Sequence, residues 1–444
     1  MASTSDDIET LIRRLTQVQQ QMQALHLDDE IVWHTIPLSV TFILHWSLLQ
    51  KSGFLIPQYQ EARQRARQSG NPFALLKISQ WLALLYLGVG QLSLAYQQSI
   101  EALALIEQFD GYALLKGYFL FCLVNVLYHR NQVEEARPLL QSMLHDAQIF
   151  QQVDLQISAR IYQIKVELAA GEHARAHDML QQVQALVQSQ GFSLHAERII
   201  PVCVEYWLAT GDLAQAAQWA ESTSYTPETW KDNDTATVLL VARIFLALQR
   251  YPAALELLER FREQYFEQME NTENKAEFLA LLVVALHQTG KREQVHTTLL
   301  RLLALCEPEK RLRVLLNMGQ PMRHILTRFL NSDEDATLRS FASSVLAAFA
   351  RQEQGREGGT SANKASRNAS APASSNPLTA QEQRVLRLLA AGQTYAEIAE
   401  RLVVSRNTIK TQVSSIYRKL GVSRRVEALT LAQQLSLLQE NITP

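Results

Sequence analysis

The sequence predicts an all-α protein, a superhelix of tetratricopeptide-like helical hairpins joined to a small separate helical domain. Three observations predict it. An apolar helix, a Gly or Asn turn and a second helix recur together about every 40 residues. A stretch poor in apolar residues interrupts the chain at residues 351–377. The residues beyond it read as short amphipathic helices of their own. With 444 residues, 47% of them hydrophobic, the chain has room for roughly two to four globular domains.

At the N-terminus, residues 1–28 read as an amphipathic helix. Ile8, Leu11, Leu15, Val18, Met22 and Leu25 alternate by three and four, an a/d seam that suits a cap on the first repeat or, over a longer run, a dimer contact. The opening residues MASTSDDIETLIRR are polar and acidic, where a secretory signal would be basic and then apolar. Residues Ile31 to Gln50 carry no formal charge but include His34, Thr35, Pro37 and His45. That composition fits a buried helix pair better than a membrane span. The cytoplasm is the expected compartment, with no membrane partner.

Residues 29–350 are assigned to the repeat domain. Turn residues fall at Gly90, Asn131, Gly171, Gly211 and Gly290, with a glycine-free turn expected near Arg250. A small residue follows each turn at Ala95, Ala136, Ala176, Ala216, Ala254 and Val295. Gly and Asn tolerate the left-handed backbone that ends a helix, and the small side chain admits a close helix crossing. A lone hairpin cannot bury both apolar faces, so successive hairpins stack and curve around a groove.

Residues 351–377 (RQEQGREGGTSANKASRNASAPASSNP) are read as a flexible linker. Residues 378–444 form the last domain. Thr379 and Glu382 have capping-box spacing, Gly392 is a helix stop, and a second helix is expected over about Tyr395 to Leu402. In the third helix Ile409, Val413, Ile416 and Leu420 make one apolar stripe. Asn407, Lys410, Thr411, Ser414 and Arg418 fall on the other side, which lacks acidic residues and can hydrogen-bond base edges and phosphates. The helix-turn-helix is placed at about 394–413, with its second helix suited to the major groove.

Charge supports the division. The net charge is −2, yet residues 1–350 hold 29 Lys and Arg against 37 Asp and Glu, while residues 378–444 hold 9 against 5. Only the tail is built to meet a polyanion.

From Leu378-Thr379 through Glu397-Ile398-Ala399, Thr408-Ile409-Lys410 and Lys419-Leu420-Gly421-Val422 to Arg425 and Ala428, the tail resembles the LuxR-type helix-turn-helix family. The resemblance implies a four-helix domain in which Lys410, Thr411 and Ser414 read bases while Thr408 and Arg418 hold the backbone. Its fourth helix, about Ser423 to Leu435, would pair two domains on DNA. Gln412 stands where that family usually has His, and Tyr395 where it has Asn or a small polar residue. The repeats, with RVLLNMGQPMRHIL from Arg313 to Leu326, resemble the superhelix of MalT-like regulators. Those regulators normally begin with an ATPase domain. Here no G-x-x-x-x-G-K-[ST] occurs, and Gly290-Lys291-Arg292 is the nearest approach.

These resemblances imply a sequence-specific, DNA-binding transcription regulator, dimeric on double-stranded DNA. Its repeat groove would receive a small-molecule inducer or a regulatory protein, and RNA polymerase is a further candidate partner. The competing readings are a repeat-based interaction scaffold and the DNA-binding part of an ATP-dependent switch whose ATPase is on another chain.

No catalytic set, cofactor or metal is expected. Cys122, Cys203 and Cys306 lie in separate Leu-rich contexts and read as buried thiols. His173 and His177, one helical turn apart, lack a third ligand at defined spacing. Trp81, Tyr86, Tyr118, Tyr128, Tyr206 and Trp207 suit hairpin core better than a ligand groove.

Overall fold

The computed structural model describes residues 53–109, 111–190, 193–223, 235–269, 271–331, 335–365, 380–390, 393–402, 409 and 413. Among them every regular element is helical, as the sequence predicts. A leading helix α1 (Ile56–Ser69) precedes six hairpins. These are α2 (Pro72–Val89) with α3 (Leu92–Gln108), α4 (Ala113–His129) with α5 (Val133–Ile149), and α6 (Val153–Ala170) with α7 (His173–Gln190). Then come α8 (Ser193–Thr210) with α9 (Leu213–Ser222), α10 (Thr235–Ala247) with α11 (Tyr251–Tyr265), and α12 (Thr272–Gln288) with α13 (Arg292–Cys306). The N-terminal segment, with its predicted seam and uncharged stretch, lies outside the described residues.

Every hairpin turn has the same chemistry. Gly90, Asn131, Gly171, Gly211, Gln249 and Gly290 all take positive φ, between 59° and 84°. In each the next N–H reaches back to the carbonyl five residues earlier, from Gln91 to Tyr86 at 2.7 Å through Lys291 to Leu286 at 3.0 Å. This is the bond that closes a helix on a left-handed residue. The turn without glycine is present, with Gln249 in the left-handed position. Ala95, Ala136, Ala176, Ala216 and Ala254 are all fully buried, so the second helix of each hairpin approaches the first to van der Waals contact there.

First helices run through the middle of the stack, and α2, α4 and α10 are apolar nearly all round. α2 is long and apolar enough to cross a membrane, but Leu76, Ile78, Trp81, Leu82, Leu84 and Leu85 are each at most 2% exposed among neighbouring helices, as in a buried core helix. The core divides along the chain, one large cluster within α1–α6 and another from α10 onward.

The superhelix meets itself. Residues at the ends of α2 and α4 bond to the start of α12 and to the segment after α13, about 180 to 220 residues further on. Beyond lie α14 (Arg313–Leu316), α15 (Gly319–Phe329) and α16 (Ala336–Ala365). The last runs past Arg351, where composition alone suggests a linker. Its stretch ARQEQ favours helix, and Glu353 is tied down by Gln320 at 2.9 Å and by Arg323.

By contact density the chain divides into residues 1–359 and 360–444. In the second unit α17 (Ala380–Ala390) and α18 (Tyr395–Leu402) are described.

Candidate nucleic-acid interface and superhelix interior

In the C-terminal unit, α17 ends with the Gln393 N–H donating to the Leu388 carbonyl at 3.2 Å, the closing bond that a glycine at 392 suits. Thr394 then caps α18. Its N–H and hydroxyl donate to Glu397 Oε2 at 2.7 and 3.0 Å, and the Glu397 N–H returns to Thr394 Oγ1 at 3.4 Å. This is a reciprocal capping box. The hydrogen bonds from Thr394 hold the Glu397 carboxyl below its usual range.

Val385, Leu386, Leu389, Ile398 and Ala399 are buried, and so are Ile409 (0% exposed) and Val413 (3%), both helical. Residues four apart share one face of a helix, so this pair anchors the inward side. The residues expected to face DNA are Asn407, Thr408, Lys410, Thr411, Ser414 and Arg418. Those six residues, with Gln412, Ile416, Leu420 and the fourth helix, lie outside the described residues, as does the expected cap Thr379.

The interior of the superhelix is a second constellation, one that sequence reading missed. Each first helix from α4 to α12 places polar or charged side chains inside, and these join in a closed circuit. Asn125 of α4 donates to the Tyr162 hydroxyl of α6. Lys165 of α6 pairs with Glu205 of α8 at 3.3 Å, and Glu205 with Arg243 of α10 at 3.7 Å. Arg243 pairs with Glu277 of α12 at 2.5 Å, and Glu273 of α12 returns to His129 of α4 at 3.2 Å. The Lys165 ammonium also lies 5.6 and 5.7 Å from the Tyr128 and Tyr162 rings, within cation–π range.

Electrostatics in this circuit favours the charged forms. Burial alone would lower the Lys165 pKa, but Glu205 and its neighbours raise it. Burial would raise that of Glu273, yet His129, Lys165 and Arg311 bring it down to about 2. The Glu273 side chain keeps 38% of its surface, so the shift reflects the density of surrounding charge rather than full enclosure. A signal was available: Asn125, Lys165, Glu205 and Arg243 recur at intervals of 40, 40 and 38, each in the first helix of its hairpin.

The remaining sequence candidates resolve as follows. Cys122, Cys203 and Cys306 are buried and free, and burial pushes the Cys122 and Cys306 thiols up to about 12. His177 is occupied by the Tyr206 hydroxyl at 3.0 Å and by Gln181 at 2.9 Å. Among the described residues no group of His, Cys, Asp and Glu is placed to hold a metal. Trp81, Tyr86 and Tyr128 are core, while Tyr118, Tyr206 and Trp207 are partly exposed. Gly290-Lys291 is a repeat turn, with Lys291 paired to Glu259 at 3.2 Å.

Comparison with known proteins agrees with this architecture. Residues 57–332 match the family model of the MalT-like TPR region, and residues 376–432 match that of bacterial regulatory proteins, luxR family. The chain is similar to the HTH-type transcriptional regulator MalT of Serratia proteamaculans, 24% identical over 425 residues. The proteins of the same name from Yersinia pestis and Yersinia pseudotuberculosis are 24% identical over 400 residues. Each alignment covers 86% of this chain, which spans 43% of the length of these relatives. The chain therefore belongs to the MalT-like TPR family and carries a luxR-family helix-turn-helix segment.

Proposed function

We propose that this chain regulates transcription by binding double-stranded DNA sequence-specifically through the helix that contains Ile409 and Val413. The observation that carries the reading is the burial of those two residues inside a luxR-family segment. That burial supports a reading in which the acid-free face meets DNA. Lys410, Thr411 and Ser414 are the base-reading positions, Thr408 and Arg418 hold the phosphate backbone, and Asn407 is a further DNA-binding residue. The domain binds as a pair through its fourth helix. The repeat domain receives a small-molecule or protein signal, RNA polymerase is a further partner, and the chain acts in the cytoplasm without catalysing a reaction of its own. Its similarity to proteins named HTH-type transcriptional regulators supports this reading.

Fluorescence anisotropy with a selected duplex and a scrambled one tests it. Lys410→Ala should weaken the selected duplex about ten- to a hundredfold and erode the preference between the two, as loss of a base contact does. Arg418→Ala should weaken both duplexes alike. Equal affinity of Lys410→Ala and wild type for the selected duplex would contradict the assignment.

A further inference from the structure

The contact by which the superhelix meets itself differs from every other junction in it. Neighbouring hairpins are joined by apolar clusters that pass from one to the next. Among the described residues no apolar cluster holds members from both sides of the closure, and its two large cores stay separate. The polar contacts found there instead form a socket and a plug.

The socket is the turn between α2 and α3 together with the end of α4. The Gly88, Val89 and Gly90 carbonyls, left without backbone donors by the end of α2, take hydrogen bonds from Asn271, Thr272 and Arg311 respectively, that from Thr272 at 3.1 Å. The Glu309 carboxylate caps the start of α3, accepting from the Ser93 N–H at 2.8 Å and its hydroxyl at 2.7 Å. Arg130 reaches the Glu309 carbonyl at 3.3 Å, and Arg313 reaches Asn131 Oδ1 at 3.0 Å. Gly90 is where the plug seats. A Cβ there would meet Arg311 Nη2 and Thr272 Cβ at 2.8 Å, whereas at Gly211 and Gly290, whose φ is the same within 5°, it would meet nothing within 4 Å.

The closure is also incompletely satisfied. Arg311 is 1% exposed, yet its Nε and Nη1 find no acceptor among the described residues, and neither does Nε of the 6% exposed Arg313. Buried donors of that kind offset much of what the clasp's bonds contribute, and opening would return them to water.

We propose that this closure is a reversible latch. Residues 88–93 and 129–131 separate from residues 271–273 and 309–313 while both apolar cores remain folded, and the charged circuit around Lys165 and Glu205 becomes accessible in the open form. The latch concerns the superhelix alone and stands whether or not the tail binds DNA. It locates the moving element through which a signal received by the repeats would act.

Hydrogen exchange on the full chain, read by fragment mass spectrometry, tests it. In the wild type the Ser93 amide and residues 309–313 should exchange together, well ahead of the core amides of Ala276–Leu286. Gly90→Ala and the milder Glu309→Gln should speed exchange of both segments at least about tenfold, the effect of losing one hydrogen bond to a charged group, and leave Ala276–Leu286 unchanged. Gly211→Ala and Gly290→Ala, which carry the same backbone strain without the obstruction, should leave the latch segments as they are. Exchange of the latch only at the core rate would overturn the proposal. So would a Gly90→Ala effect on the latch no larger than that of Gly211→Ala, or unchanged latch exchange in Glu309→Gln.

Discussion

Glu273 illustrates how charge is used inside the superhelix. With His129 at 3.2 Å and Lys165 and Arg311 nearby, its carboxyl is held at about 2, against an ordinary value near 4.5. A carboxyl held down in the folded state adds stability at neutral pH, all of it present above its unfolded value and lost as pH falls toward the folded one. Glu273→Gln should therefore be less stable than wild type at pH 7, with the gap narrowing between about pH 4.5 and pH 2 in urea unfolding series. A gap independent of pH would show that the charge of Glu273 contributes nothing. This residue was hard to find in the sequence, because a charge near a helix start reads as a solvated one. Arg243 was more legible, a cation in an otherwise apolar helix, and Lys165 stands at the same repeat position.

At the level of elements, the hairpin turns were nearly all readable, since glycine and asparagine report left-handed backbone directly. The exception is instructive. Gln249 takes φ 59° with no glycine to ease it, because the helices on either side fix the turn regardless of the residue in it. A left-handed non-glycine residue costs roughly 1–2 kcal/mol, from which the greater chain freedom of glycine subtracts about half. Gln249→Gly should raise stability by roughly 0.5–1 kcal/mol in denaturant unfolding, whereas Gly211→Ala should lower it. The Thr394–Glu397 capping box has the same three-residue spacing in the sequence as Thr379 and Glu382. Thr394→Ala should lower the unfolding midpoint of the C-terminal unit and leave that of the repeats in place, a difference calorimetry can resolve. The extension of α16 to Ala365 was illegible for another reason: its anchor, the pairing of Glu353 with Arg323, depends on a neighbour that composition does not reveal.

For the whole molecule, the period near 40 implied stacking and curvature but not closure, because the contacts that join the two ends of the turn link residues about 180 to 220 apart and leave no periodic trace. The functional assignment agrees with the division of charge between an acidic repeat domain and a basic tail. The salt dependence of DNA affinity should therefore come from the tail alone. Full chain and residues 378–444 should give equal slopes of log affinity against log salt concentration, even where pairing of chains makes their affinities differ. The most direct test is to select bound duplexes from a random pool with the intact chain and sequence what is retained. The account predicts one enriched motif that disappears when Lys410 and Thr411 are both changed to alanine. Retention of duplexes without sequence preference, or an undiminished motif in the double variant, would contradict it.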